Sequence, residues 1–343
     1  MSRQAPVEKE IPTPATAAKL LLQMKRIRFV EEEIARRYAE GKMRCPTHLS
    51  VGQEAVAAAV GLALRRDDLV VSGHRAHAHY LGKGGNLPAM LAEIYGKATG
   101  CSRGKGGSMH LVDESAGFMG STAIVAGTVP VGVGLAYAIR LKRSDRVSCV
   151  FIGDAGAEAG VFFESLGFAA LKQLPVLFVC ENNLYSVYSP LRVRQPAGRS
   201  IHAMVRGIGV DALHGDGNDA AEVYRMACDS IAAIRAGGGP RFLELATYRW
   251  REHCGPGYDN DLGYRSEAEF AEWKAKDPIG RLEAAMRSRG EIDRAGIERM
   301  DDQVAREVQA AFDFAEASPF PDPQSAYTGL HAEPPSAGAK SGA

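Results

Sequence analysis

The sequence predicts an α/β fold, a mostly parallel sheet flanked by helices, with helical extensions at its N- and C-terminal ends. Two apolar runs and the segment between them carry that expectation. Val147 to Ile152 and Val176 to Cys180 are short, β-branched and almost free of charge, as strands buried on both faces are. Val161 to Lys172 separates them with Phe162, Leu166 and Ala169 at helical spacing, so the unit reads β-α-β and its strands run parallel.

The remaining elements follow in order. Leu20, Met24, Ile27, Ile34 and Tyr38 mark a first helix that Gly41 ends, and a second helix follows Gly52. Asp68 to Ser72 reads as a strand, and Asn86-Leu87-Pro88 opens a helix with Met90, Leu91 and Ile94 on one face. Thr128 is the expected cap of a helix that Pro130 helps to start. Leu243 to Trp250 has strand composition, and Ser266 to Ala317 is mostly helical. No internal repeat or domain boundary stands out, so residues 15–327 form one domain between a mobile N-terminal tail, 1–14, and a mobile C-terminal tail, 328–343, both poor in groups to bury.

Composition excludes more than it identifies. With 343 residues, 45% of them hydrophobic, the chain can bury a sizeable core. Forty-one basic side chains balance forty-one acidic ones, which leaves no electrostatic footprint for nucleic acid or for an anionic membrane. Six cysteines without a C-x-x-C pair argue against a zinc ribbon or a disulfide framework. No signal-like apolar core or membrane-length run occurs, and a reducing cytoplasm is the expected setting. Gly153, Gly156 and Gly160 have the wrong spacing for a nicotinamide-binding loop, Gly-x-Ser-x-Gly is absent, and the Gly-rich stretch TGCSRGKGGSMH is no Walker loop.

Open parallel sheets bind ligands beyond the carboxyl ends of their strands, where Asp154 and the pair Asn182-Asn183 fall. Taken singly, Gly-Asp is turn chemistry and Asn-Asn a loop tip. In the order strand, Asp, helix, strand, Asn-Asn they suit a hard cation such as Mg²⁺, which takes few protein oxygens and completes its shell with phosphate and water. This passage resembles the GDG…NN thiamine diphosphate motif, in particular that of the α subunit of the E1 component of 2-oxo acid dehydrogenases. The resemblance runs from about Leu20 to Tyr327 and implies a thiamine diphosphate-binding fold. It further implies that Asp154, Asn183 and the carbonyl of Tyr185 hold Mg²⁺. Ala155 stands where the family has its second Gly, with Gly156 following, and both fall at the diphosphate.

Further strings match the family. In SGHRAHAHYLGKGG, Arg75 is the residue to aim at a phosphate, because its planar fork donates two bonds and its charge is permanent. His74, His77 and His79 could alternatively form a metal cluster, although no Cys or carboxylate is interleaved. The family places a Tyr at His74, and acetoin-type members read H-R-G-H-G-H. GKGGSMH resembles a family loop near the cofactor channel, with no role for His110. In STAIVAG, Ala123 and Val125 inherit positions that hold the cofactor through main-chain groups, while a plain reading makes Ile124 and Val125 core. His48, in CPTHLSVGQEA, and His253, in TYRWREHCGPG, are the catalytic candidates implied by the resemblance. A histidine can give or take a proton near neutrality. Where the family continues with serines, this chain runs Cys254-Gly255-Pro256-Gly257, and Arg251 replaces a family His.

The resemblance implies an enzyme that decarboxylates a small 2-oxo acid of the pyruvate kind, or cleaves acetoin, and passes the acyl group to a lipoyl acyltransferase. It implies an E1 β partner in an α₂β₂ heterotetramer, since in this family the Glu that activates the cofactor comes from β. The alternative is a transketolase-like or acyloin-forming carboligase subunit; a non-catalytic regulatory subunit is a further reading.

Overall fold

The computed structural model describes residues 12–43 and 45–328, so the expected tails, 1–14 and 328–343, lie almost wholly outside the described residues. Thr13 and Pro14 already belong to the start of α1 (Pro14–Tyr38), where the Thr13 hydroxyl accepts from the Thr16 N–H. Next come α2 (Glu54–Ala63), β1 (Leu69–Ser72), α3 (His77–Gly82), α4 (Leu87–Ile94), β2 (Phe118–Ser121), α5 (Thr128–Leu141), β3 (Ser148–Gly153), α6 (Gly160–Leu171) and β4 (Val176–Asn182). A short hairpin, β5 (Tyr185–Ser186) and β6 (Ser189–Pro190), leads into α7 (Leu191–Arg194) and α8 (Ile201–Ile208). Then β7 (Asp211–Asp216), α9 (Ala220–Arg235) and β8 (Arg241–Ala246) complete the sheet, and α10 (Glu267–Lys274), α11 (Pro278–Ser288) and α12 (Arg294–Ala317) form the C-terminal helices.

The six long strands lie in the order β2-β1-β3-β4-β8-β7, every pair parallel. The α/β expectation with helical extensions therefore holds. Val150, Phe178 and Val179 are fully buried, as a strand covered by helices on both faces requires. One apolar cluster packs α1, α2, α9 and the C-terminal helices on one face, and a second packs α5, α6 and α8 on the other.

Three boundaries differ from the sequence reading, each for a polar reason. Asp68 is not in the strand: its buried carboxylate accepts from Val147 N–H, Arg65 N–H and the Arg235 guanidinium, tying β1 to β3. Thr128 is the first helical residue of α5 rather than its cap, and no side chain caps that end. The strand predicted from Leu243 to Trp250 stops at Ala246, where the chain leaves β4 and Trp250 N–H bonds to the Val51 carbonyl. Edge strand β7 buries only Ala212 and Gly215 and includes a Gly and two Asp, so it carries no apolar run to find.

Helices α2 and α3 meet backbone to backbone. A Cβ on Gly61 would lie 2.1 Å from the Gly82 carbonyl oxygen, and one on Gly82 would lie 2.3 Å from that of Ala57. Backbone cannot yield as a side chain tip can, so Gly61→Ala is expected to cost about 3 kcal/mol in urea unfolding and to shift α3, which follows Arg75; an unchanged midpoint would show that the contact is not tight.

Candidate active site

The parallel pairing of β3 with β4 places Gly153 opposite Glu181, so that Asp154 and Asn182-Asn183 emerge side by side at the carboxyl edge. One cavity there is lined by Arg75, Asp154, Asn183, Tyr185 and His253, together with His74, Val125, Ala155 and Gly156. Nine of the eleven residues singled out for catalysis, cofactor or metal thus converge on one wall. Ala123 is not among the lining residues, and His48 joins through ring contacts instead. A wider groove between the end of α1 and the Gly-rich loop contains none of them; its Lys42 is paired with Glu40 and Glu316, and its Lys97 is spent on main-chain carbonyls.

Asp154 is 2% exposed. Its carboxylate is not free: Arg194, at the end of α7, bonds Asp154 with one arm and Glu158 with the other. Burial pushes the Asp154 carboxyl up, against the pull of that guanidinium. Asn183 donates from Nδ2 to Gln53 Oε1 at 3.3 Å, and its Oδ1 accepts from Tyr185 N–H at 3.2 Å. Gln53 Nε2 is buried with no partner. The chain reaches Tyr185 through Leu184 at φ +73°, and Val187 beyond it has φ +53°, so the carbonyl edge of this loop is held in a conformation that β-branched and bulky residues resist.

Arg75 is buried and donates to the Leu49 carbonyl at 2.6 Å and the His253 carbonyl at 3.3 Å. It thereby clamps the two loops that carry His48 and His253. Desolvation and Arg249 lower its pKa to about 10, so it stays charged at neutral pH. Around it stand three imidazoles, with ring centroids 4.6 Å apart for His48 and His74, 5.0 Å for His48 and His253, and 5.6 Å for His74 and His253. Burial first, and then the Arg75 charge, lower His48 to about 2, His74 to about 4 and His253 to about 3. The expectation of a histidine poised near neutrality is corrected: all three are neutral, because a proton there would be desolvated beside a fixed cation.

The histidines of the RAHAH string part company. His77 Nε2 bonds Ser108 Oγ at 2.7 Å and its Nδ1 lies 3.3 Å from Glu31, deep in the core. His79 Nδ1 bonds Ser72 Oγ at 2.8 Å, its Nε2 lies 3.2 Å from Glu181, and it stacks on Phe151. These two do not join His74, so the cluster considered from sequence does not form. The GKGGSMH loop borders the wider groove instead of the cavity, wrapped around Glu93, whose carboxylate accepts four main-chain N–H groups. His110 is exposed. Ile124 and Val125 are 68% and 51% exposed, which removes the core reading, and Ala126 beside them has φ +60°.

The departure at Cys254 to Gly257 has a structural account. Glu252 accepts from Gly257 N–H, Gly255 N–H donates to the Thr47 carbonyl, and a Cβ on Gly255 would lie 2.4 Å from the Glu252 carboxylate. Arg251 holds Glu32 and the Pro256 carbonyl. Beneath, Asp259 binds Arg249, Arg265 and Tyr264, so the loop that presents His253 is braced from both sides. Sequence reasoning missed Gln53, Glu181 and His79 as cavity groups, and Arg194 as the partner of Asp154. Gln53 and Glu181 sit inside strings already singled out, whereas Arg194 has no local signal.

A parallel sheet whose strand ends present a carboxylate, an asparagine and a phosphate-directed arginine in one cleft is the architecture of a thiamine diphosphate enzyme. Residues 22–324 match the model of the dehydrogenase E1 component family. The chain is 36% identical over 310 residues to a pyruvate dehydrogenase E1 component subunit alpha of Zymomonas mobilis, covering 90% of this chain and 86% of that protein. It is 34% identical to that of Rhizobium meliloti, over 90% of this chain and 88% of the relative. It is also 34% identical to the chloroplastic subunit alpha-3 of Arabidopsis thaliana, over 90% and 72%. The chain belongs to the dehydrogenase E1 component family, as a thiamine diphosphate-dependent subunit of the α type.

The three imidazoles make stability depend on pH. Their folded pKa values lie below the ordinary value near 6.5, so the stability they confer is present above that value and is lost as pH falls toward the folded values. Urea unfolding is expected to weaken by up to about 1.4 kcal/mol per pH unit and per imidazole below about pH 6.5, with a shallower slope in His48→Gln. An identical slope in that variant would show that His48 is not desolvated.

Proposed function

We propose that this chain is the α subunit of an E1 enzyme that decarboxylates a small 2-oxo acid of the pyruvate kind, with Mg²⁺ and thiamine diphosphate bound in the cavity described above. The observation that carries it is the convergence of Asp154, after β3, with Asn183 and Tyr185, after β4, on the cleft that Arg75 and His253 also line. The donors fit the group. Asp154 supplies the one carboxylate a hard cation wants, Asn183 Oδ1 and the Tyr185 carbonyl supply neutral oxygens, and the Arg194 guanidinium already stands in as a cation against Asp154. Arg75 is buried, charged and fork-shaped, as a diphosphate partner is. The relatives' name points to pyruvate.

Thiamine diphosphate, when bound, would supply the electron sink that decarboxylation of a 2-oxo acid requires. The chain's own residues orient and exclude water around it. His253, whose carbonyl and Nδ1 both face Arg75, is placed to move a proton once an anion offsets that charge, and His48 and His74 shape the oxo acid's end of the cleft. A β subunit completes the site in an α₂β₂ assembly in the cytoplasm, and a lipoyl acyltransferase takes the acyl group. Exposed apolar side chains at the start of α5 support a partner: Ile124 and Val125, which precede the helix, and Val131 in its first turn are 68%, 51% and 52% exposed, and Val125 lines the cavity.

Two outcomes test this reading. With a β-type subunit added, the chain should consume pyruvate with an artificial electron acceptor and acylate a lipoyl domain. Turnover without β, or consumption of a ketose-aldehyde pair in place of the oxo acid, would overturn it in favour of the carboligase. For the metal, Arg194→Gln should lower the melting temperature of Mg²⁺-free protein, because it strands a buried carboxylate, and should enlarge the stabilisation that Mg²⁺ with thiamine diphosphate confers. Asp154→Ala should abolish that stabilisation, and its persistence would remove Asp154 from the metal.

A further inference from the structure

We propose that Glu244 is the positioning residue of the loop assigned to Mg²⁺ above: its carboxylate fixes which way the Asn182 amide points, and that amide holds the turn carrying Asn183 and the Tyr185 carbonyl. This role rests on the Mg²⁺ and thiamine diphosphate reading, and it falls to side chains that do not themselves line the cavity.

Glu244 stands where a charge is costly. On β8 it lies opposite Cys180 of β4 and His214 of β7, and it shares a strand face with the fully buried Phe242, which packs with Ile201 and Val205 of α8. A carboxylate only 6% exposed on such a face needs a partner for each oxygen. Oε2 accepts from the His202 main-chain N–H at 2.9 Å and lies 2.7 Å from His202 Nδ1, in the first turn of α8. Oε1 accepts from Asn182 Nδ2 at 2.9 Å.

The bond to Asn182 reaches the metal loop. With both Glu244 oxygens accepting, Asn182 has to present its Nδ2 there and turn its Oδ1 the other way. That oxygen accepts from Leu184 N–H at 3.2 Å, and Leu184 is the residue at φ +73°. A leucine resists the left-handed region, so the turn persists because its N–H has this partner. The Asn182 main chain is anchored separately, its carbonyl accepting from Thr247 N–H at 3.0 Å. Directly after it, Asn183 Oδ1 and Tyr185 N–H meet at 3.2 Å, so the proposed metal oxygens take their places from the same turn. The carboxylate on β8 thus sets an amide on β4, and the amide sets the loop.

The competing role for Glu244 is to anchor α8 alone, and the choice of cation separates the two. Mg²⁺ demands near-ideal octahedral geometry, whereas Ca²⁺ accepts a flexible shell of oxygens. A loosened loop therefore penalises Mg²⁺ more than Ca²⁺. A lost helix anchor lowers stability and leaves the two ions alike.

The test is the melting temperature of the full-length chain with saturating thiamine diphosphate, titrated with MgCl₂ and separately with CaCl₂. Glu244→Gln keeps the shape but leaves one acceptor oxygen, so either Asn182 or His202 loses its bond. The Mg²⁺ concentration giving half of the stabilisation is expected to rise by about tenfold or more, and that for Ca²⁺ by less. Combining Glu244→Gln with Asn182→Asp exchanges donor and acceptor across the pair and should bring the Mg²⁺ response back to within about threefold of the parent. Asn182→Ala leaves Glu244 on α8 and should reproduce the Mg²⁺ loss even if Glu244→Gln fails to fold. An unchanged Mg²⁺ response in the single variants, an equal loss for both ions, or no recovery in the double variant would overturn the role of Glu244 and leave the Mg²⁺ reading standing. A parent chain indifferent to Mg²⁺, or a response that survives Asp154→Ala, would overturn that reading and this role with it.

Discussion

Everything functional in this molecule depends on the backbone pairing of β3 with β4. Two parallel strands in register, Ser148 opposite Val176 through Gly153 opposite Glu181, bring Asp154 and Asn183 to one edge although α6 lies between them in the chain. Parallel strands need such a crossover, and a sheet buried on both faces has no other place to expose polar groups than its ends. The cleft is therefore a consequence of how the sheet satisfies its hydrogen bonds. Asp68, which ties β1 to β3 by accepting from Val147 N–H, keeps Arg75 and the histidine stretch on the same edge.

Charge in the cleft is arranged for a ligand that brings its own. Arg75 is the buried cation at one end, where burial first and then its charge hold three neighbouring imidazoles neutral. At the other end, Asp154 is buried with Arg194 against it. Both ends pair a fixed charge with a group that can be exchanged, so an anion at Arg75 and a cation at Asp154 each restore what burial removed. Around them, Glu31 and Glu181 sit within 3.3 Å of His77 and His79, and Asp259 gathers Arg249 and Arg265.

Most of the fold was legible because its signals are local. The apolar strands, the cap at Asn86 and the face of α6 depend on residues within a few positions of one another, and the structure agrees with each. The strand at Leu243 ran too far because Tyr248 and Trp250 are buried aromatics, which periodicity cannot tell from strand residues; they are buried against the 47–52 segment, off the ladder. Thr128 looked like a cap because its type and its distance from Pro130 suit one, but the turn at Ala126 starts the helix a residue earlier.

The amino-acid sequence by itself determined the β-α-β unit, the order of the motifs and the identity of the groups at the strand ends, because hydrophobic period and strand direction are properties of neighbouring residues. Only the tertiary structure decided which of those groups meet. It sent His77 and His79 into the core while gathering His48, His74 and His253 from three distant stretches, and it laid Arg194 on Asp154 across forty positions of chain. It moved the glycine-rich loop to another groove. It also set the protonation of the histidines, since a pKa is fixed by burial and by charges that come from elsewhere in the chain, and no spacing along the sequence records them.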